Sequence, residues 1–121
     1  MFELTVKADF AAAHRLRDYE GACERLHGHN YQVDVVVVGE TLDEMDVLVD
    51  FRQVKAVLAD VLDEFDHRYL NEVAPFDSLN PTAENIAKVI ADRLADGLPD
   101  GVSVRRVTAW ESDRCGATYA P

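Results

Sequence analysis

The sequence predicts an α+β domain, a four-stranded antiparallel sheet with two helices packed on one face, in the order strand, strand, helix, helix, strand, strand. Three observations lead there. Apolar and polar residues alternate from Phe2 to Phe10, as in a strand with one buried face. Two later stretches, 51–65 and 86–94, place their apolar residues at helical spacing instead. Two strand-like segments precede that helical pair and two follow it. At 121 residues the chain can bury one core but not two, so 1–121 reads as a single domain.

In the first strand Phe2, Leu4, Val6, Ala8 and Phe10 share one face, and Ala11-Ala12-Ala13-His14 prolongs it toward a polar loop containing Gly21. The chain returns through His27-Gly28-His29 into Tyr31-Gln32-Val33-Asp34-Val35-Val36-Val37-Val38, rich in β-branched residues and closed by Gly39. Asp43 to Asp46 reads as a solvated turn, and Val47-Leu48-Val49 as a short extended piece. Asp50 is placed to cap the first helix, with Gln53 at the capping-box position. Its stripe is Phe51, Val54, Val57, Leu58, Val61, Leu62 and Phe65. The helix delivers Asp66-His67 into a loop running to Asn80. A second helix begins near Asn80-Pro81-Thr82, where either Asn80 or Thr82 could cap, and Gly97 with Pro99 stops it. Residues 102–111 and 116–119 then read as the third and fourth strands, entered through an Asp100-Gly101 turn.

The formal charge of −11, with only three lysines, argues against nucleic acid, which is held by clustered Lys and Arg. An acidic surface of this kind suits a halophilic source or an ordinary acidic cytoplasmic enzyme. No apolar run approaches the roughly 20 residues that span a bilayer, and Met-Phe-Glu-Leu-Thr lacks the marks of a signal peptide. A cytoplasmic protein with no membrane partner is expected. In that compartment two cysteines are expected to be reduced, with Cys23 free for chemistry and Cys115 a bystander.

The chemistry concentrates where the second strand begins. Along an extended backbone His27 and His29 project to the same side, with Gly28 adding no bulk between them. His14, on the antiparallel partner strand, is the natural third ligand, although His67 is an alternative from the residues alone. Three imidazoles with one open position describe catalytic rather than structural zinc. Cys23, four residues before His27, then either closes the site as a fourth ligand or acts beside it as an acid/base group. Asp66 next to His67 suits a carboxylate-oriented imidazole, and equally a solvated helix end. Glu111, at the end of the third strand, can accept from a planar pair of N–H donors, or is simply solvated. Glu84 favours the second helix's dipole whatever else it does.

These residues carry a resemblance. Phe10-Ala-Ala-Ala-His14, Cys23-x-x-x-His27-Gly-His29-Asn30-Tyr31, Asp50-Phe51, Phe65-Asp-His-Arg-Tyr-Leu-Asn71, Asn80-Pro-Thr-Ala-Glu-Asn85 and Trp110-Glu111 run through the chain in the order found in the 6-pyruvoyltetrahydropterin and 6-carboxytetrahydropterin synthase family, with its tunnelling fold. The compact length and the Asn-Pro-Thr-Ala-Glu-Asn form resemble its carboxytetrahydropterin branch. The resemblance implies zinc on His14, His27 and His29, Cys23 as proton acceptor, and Asp66 with His67 as a catalytic relay. It implies Glu111 at the pterin ring with Thr82 and Glu84 nearby. The implied reaction is that of a lyase taking 7,8-dihydroneopterin triphosphate to 6-carboxytetrahydropterin, acetaldehyde and triphosphate, on the route to 7-deazaguanine nucleosides. The retained Cys23 separates the chain from the branch that carries Glu there, whereas Ala11 and Ser112 stand where that family commonly has Ser and Thr. Rings of subunits are implied too, a hexamer of two trimers with active sites between subunits. The competing readings are a pyruvoyltetrahydropterin synthase and a non-catalytic zinc module closed by Cys23.

Overall fold

The computed structural model describes residues 1–18 and 25–121. Strands β1 (Phe2–His14) and β2 (His27–Gly39) form a long antiparallel hairpin, in register from Phe2 opposite Gly39 to His14 opposite His27. Alternation sets that register. Val6 faces Val35 and Phe10 faces Tyr31 across the ladder, all four buried, and a slip of one residue would turn both rows to the other face. Helix α1 (Phe51–Asp63), strand β3 (Arg68–Tyr69), helix α2 (Ala83–Gly97) and strands β4 (Ser103–Trp110) and β5 (Gly116–Tyr119) complete the fold. Both helices lie on one face of the sheet, α1 against β1 and α2 against β4 and β5. Between them and the sheet lies one core that includes Val33, Val54, Leu58, Ile86, Ile90, Leu94 and Val107.

Among the described residues the sheet has five strands in the order β3-β1-β2-β4-β5, and it is mixed, because β3 runs parallel to β1. The expectation of four antiparallel strands missed β3, which is two residues long and has no periodicity to read. Its pairing is set from outside. The Ala11 amide donates to Asp66 Oδ1 at 2.9 Å and the His67 amide donates to the Ala11 carbonyl at 2.6 Å, which lays Arg68 and Tyr69 beside Ala12 and Ala13. Val47-Leu48-Val49 is not a strand. Asp43 folds that segment locally, its carboxylate accepting from the Met45 and Val47 amides, so the backbone groups there are spent in a turn.

Asp50 does cap α1, but through the amide of Arg52 at 2.8 Å and that residue's guanidinium rather than through a reciprocal bond with Gln53. Phe51, placed on the apolar stripe by spacing, is 49% exposed at the helix's first turn, while Phe65, just beyond the helix, is buried against Phe76. Thr82 caps α2, its hydroxyl accepting from the Asn85 amide. Asn80 is thereby released for other work. Its side-chain amide makes two bonds to the backbone of Arg17, and Asn71 does the same to Arg15. The chain leaving His14 is thus held at alternate residues. Arg17 strengthens the hold by donating to the carbonyls of Asn71, Phe76 and Leu79.

Candidate active site

At the β1–β2 end of the sheet, strand alternation places His14 and His27 directly opposite each other and His29 opposite the small Ala12, all on the core face. Ligating nitrogens of the three lie within 4.8 Å of one another. His14 is almost wholly buried and the other two are partly so. His14 Nδ1 lies 2.7 Å from the Pro81 carbonyl oxygen, and His27 Nδ1 lies 2.7 Å from that of Arg25. A carbonyl can only accept, so both rings carry their proton on Nδ1 and present a bare lone pair at Nε2. Yet those two Nε2 atoms are 2.9 Å apart, and His29 Nε2 is buried without a partner among the described residues.

Lone pairs crowded in this way repel unless a cation lies among them. Ligands around a tetrahedral ion at about 2.0–2.1 Å sit roughly 3.3 Å from one another, a spacing comparable with the 2.9 Å between His14 and His27 Nε2. The residues therefore fit a metal ion, and His14 rather than His67 is the third histidine of the group. Burial lowers the pKa of His14, against the pull of the Pro81 carbonyl, and burial likewise lowers that of His29. Both shifts favour the neutral imidazole that a metal needs.

Glu111 follows directly on β4, where its amide donates to the Cys115 carbonyl in the turn to β5. Its carboxylate oxygens lie 4.0 Å from His14 Nε2 and 3.9 Å from His29 Nε2. The same residue lines a cleft of about 570 Å³ together with Thr82, Glu84, Asn80 and Cys115. That volume lies in the range of small-molecule sites, roughly 300–1,000 Å³. Glu111, Thr82 and Glu84, scattered in sequence, thus share one cavity because the start of α2 packs beside the end of β4.

Asp66 and His67 lie elsewhere, at the outer edge of β1. His67 Nδ1 is 3.0 Å from Asp66 Oδ1, and the exposed imidazole borders a groove of about 490 Å³ shared with His29, Asn30 and Arg68. His67 has a left-handed backbone, φ 58°, held by its bond to Ala11. Cys23, the remaining expected site residue, lies outside the described residues.

The Asp66 carboxyl is held below its ordinary value of 3.8, first by the Ala11 amide and also by His67. A depressed carboxyl stabilises the fold at pH values above its unfolded pKa, and that contribution disappears as pH falls through the folded value. Asp66→Asn should therefore unfold at lower urea than the parent at neutral pH, and the gap should close below about pH 3.8. Urea midpoints measured across that range test it, and a gap of constant size would contradict it.

Residue spacing did not reveal Tyr31 as part of this site, nor the Pro81 carbonyl, nor the Asn71 and Asn80 clamps. One signal was present for Asn80, since two residues fitted a cap that only one could occupy. Tyr31 also showed itself as a hydroxyl in a row of valines, two residues beyond His29.

Fold and site together define an enzyme whose three histidines are positioned to hold a metal ion beside a cleft of small-molecule size. A family model described as 6-pyruvoyl tetrahydropterin synthase matches residues 3–121, and the chain belongs to that family. It is 39% identical to a dihydroneopterin monophosphate aldolase of Pyrococcus furiosus over 91% of this chain and 90% of that protein. It is 38% identical to the 6-carboxy-5,6,7,8-tetrahydropterin synthase of Bacillus subtilis, over 99% of this chain and 86% of that one. The solved 6-pyruvoyl tetrahydropterin synthase of Caenorhabditis elegans superposes with a TM-score of 0.89 at 28% identity, covering 99% of this chain and 95% of that one. The chain is accordingly a lyase-type enzyme of pterin metabolism.

Proposed function

We propose that the chain is a zinc-dependent lyase that converts 7,8-dihydroneopterin triphosphate and water to 6-carboxy-5,6,7,8-tetrahydropterin, acetaldehyde and triphosphate, on the route to 7-deazaguanine nucleosides. The observation that carries this reading is a site with two ends: a three-imidazole centre, and within 4.0 Å of it a carboxylate, Glu111, that also lines the cleft. A pterin has two matching ends, a ring edge with an N–H beside an NH₂ and a side chain with vicinal hydroxyls. Zinc on His14, His27 and His29 would supply Lewis acidity toward those hydroxyls.

The chain's own residues do the rest. Glu111 accepts from the ring's donor pair with its two oxygens, and Thr82 and Glu84 wall the ring's cleft. Cys23 takes the proton lost from the side chain. Asp66 orients His67 through Nδ1, leaving Nε2 free to move a proton on the far side of His29. β1 is paired on its outer edge at Ala12 and Ala13, and Ala11 is bonded to Asp66 and His67, so among the described residues Phe2 to Phe10 offer an open edge on which a second copy can extend the sheet. Subunit rings, with sites shared between neighbours, agree with that edge, and light scattering that finds a monomer would contradict them.

Cys23→Ala should keep its full zinc content and lose turnover by about two to four orders of magnitude, the scale of a missing acid/base group. Loss of zinc in that variant would instead favour a structural module closed by the thiol. The reaction itself is tested by incubation with dihydroneopterin triphosphate and mass analysis of products. Acetaldehyde with the carboxylated pterin supports the proposal, whereas a pyruvoyl product without acetaldehyde favours the pyruvoyl synthase. The similarity to the P. furiosus enzyme favours one further reading, cleavage of dihydroneopterin monophosphate. Release of glycolaldehyde phosphate from that substrate, with no reaction of the triphosphate, would establish it.

A further inference from the structure

We propose that Tyr31 is a positioning residue of the metal centre: its hydroxyl, with the Pro81 carbonyl, holds His14 in the orientation that leaves Nε2 to the metal. The inference rests on the reading of the three histidines as a metal site and goes beyond it, to what aims them. Tyr31 follows His27 and His29 at every second residue of β2, so its ring lies on the same face and forms the floor beneath them. It is fully buried. Its ring stacks on Phe10, the residue opposite in the ladder, with centroids 4.9 Å apart and planes inclined by 11°. It also meets the His14 ring edge-on at 5.8 Å and the His29 ring at 5.3 Å.

Packing explains the ring but not the oxygen. A phenylalanine would stack on Phe10 equally well, and a buried hydroxyl is unfavourable unless it finds a partner. The partner is His14 Nδ1, 3.1 Å away. Because that nitrogen donates to the Pro81 carbonyl at 2.7 Å, its proton is shared between two acceptors, one from β2 and one from the segment leading into α2. Two acceptors from two different elements fix the tautomer and the plane of the ring together. Removing partners of this kind from metal-bound histidines commonly weakens metal binding by about 10- to 100-fold.

The test is Tyr31→Phe, read by zinc titration against a competing chelator and by the visible spectrum of the cobalt-substituted protein. The zinc dissociation constant should rise about 10- to 100-fold and the cobalt bands should shift, while the metal-free variant melts with the parent. Phe10→Leu is the control for packing. It keeps the hydroxyl, so it should lower the melting temperature of the metal-free protein and leave zinc affinity and the cobalt spectrum as they were. Tyr31→Phe with parental zinc affinity and spectrum would overturn the proposal. So would an equal loss of zinc affinity in Phe10→Leu, or a Tyr31→Phe protein that no longer folds without metal, since packing would then account for the effect. If the parent itself takes up no zinc, it is the metal-centre reading that fails.

Discussion

His29→Ala is expected to empty the metal centre and abolish turnover while leaving the metal-free fold nearly as stable as before. The ring's Nε2 has no hydrogen-bond partner among the described residues, so its removal orphans nothing. What is lost is chiefly the edge-on contact with Tyr31, made by a ring that is only partly buried. The cost to the metal-free protein should be about 1 kcal/mol or less, well under the 2–5 kcal/mol of a large truncation in a core. Loss of a Lewis acid worth several kcal/mol at the transition state should lower the rate by roughly 10³-fold or more. Metal analysis of the purified variant and urea unfolding of both proteins after chelation give the two numbers. His14→Ala provides the contrast. It also loses metal, but it strands the Pro81 carbonyl and the Tyr31 hydroxyl in the core, which should destabilise even the metal-free protein by about 1–3 kcal/mol. Equal stability of the two variants would mean that the hydrogen bonds on His14 contribute nothing.

Glu111→Gln should lower kcat/KM by about 10²- to 10³-fold with zinc content unchanged. The substitution keeps size and shape but turns one acceptor into a donor facing the ring's own donors. Each hydrogen bond to a charged group is worth about 1.5–3 kcal/mol, and here one is lost and its replacement repels. A pterin ring without the phosphorylated side chain should lose affinity by a similar factor, because the carboxylate is assigned to the ring. The carboxylate also stands 3.9 Å from His29 Nε2. Ring affinity that stayed at the parental level while zinc affinity fell would reassign Glu111 to the metal.

Period-two alternation in β1 and β2, and two amphipathic stripes with capping residues at their starts, were legible because each is a local pattern that burial enforces on neighbouring residues. The grouping of the histidines was largely legible for the same reason. His27 and His29 share a face by strand geometry, and His14 joins them once the two strands pair. Thr82 and Glu84 were visible only through resemblance. Nothing in their own spacing ties them to Glu111, which lies 27 or more residues further on.

By itself, then, the chain's order of residues determined the two long strands, the two helices and the shared face of His27 and His29, since alternation and helical spacing act over short range. Only the tertiary structure decided that β3 joins the sheet, that Asn71 and Asn80 hold the exit of β1, and that His14 is fixed between Pro81 and Tyr31. Those are hydrogen bonds across 17 to 67 residues of chain. Apart from the Tyr31 bond within the hairpin, such bonds need distant segments to have packed together, because burial then forces each polar group to find its partner wherever the packing has placed one.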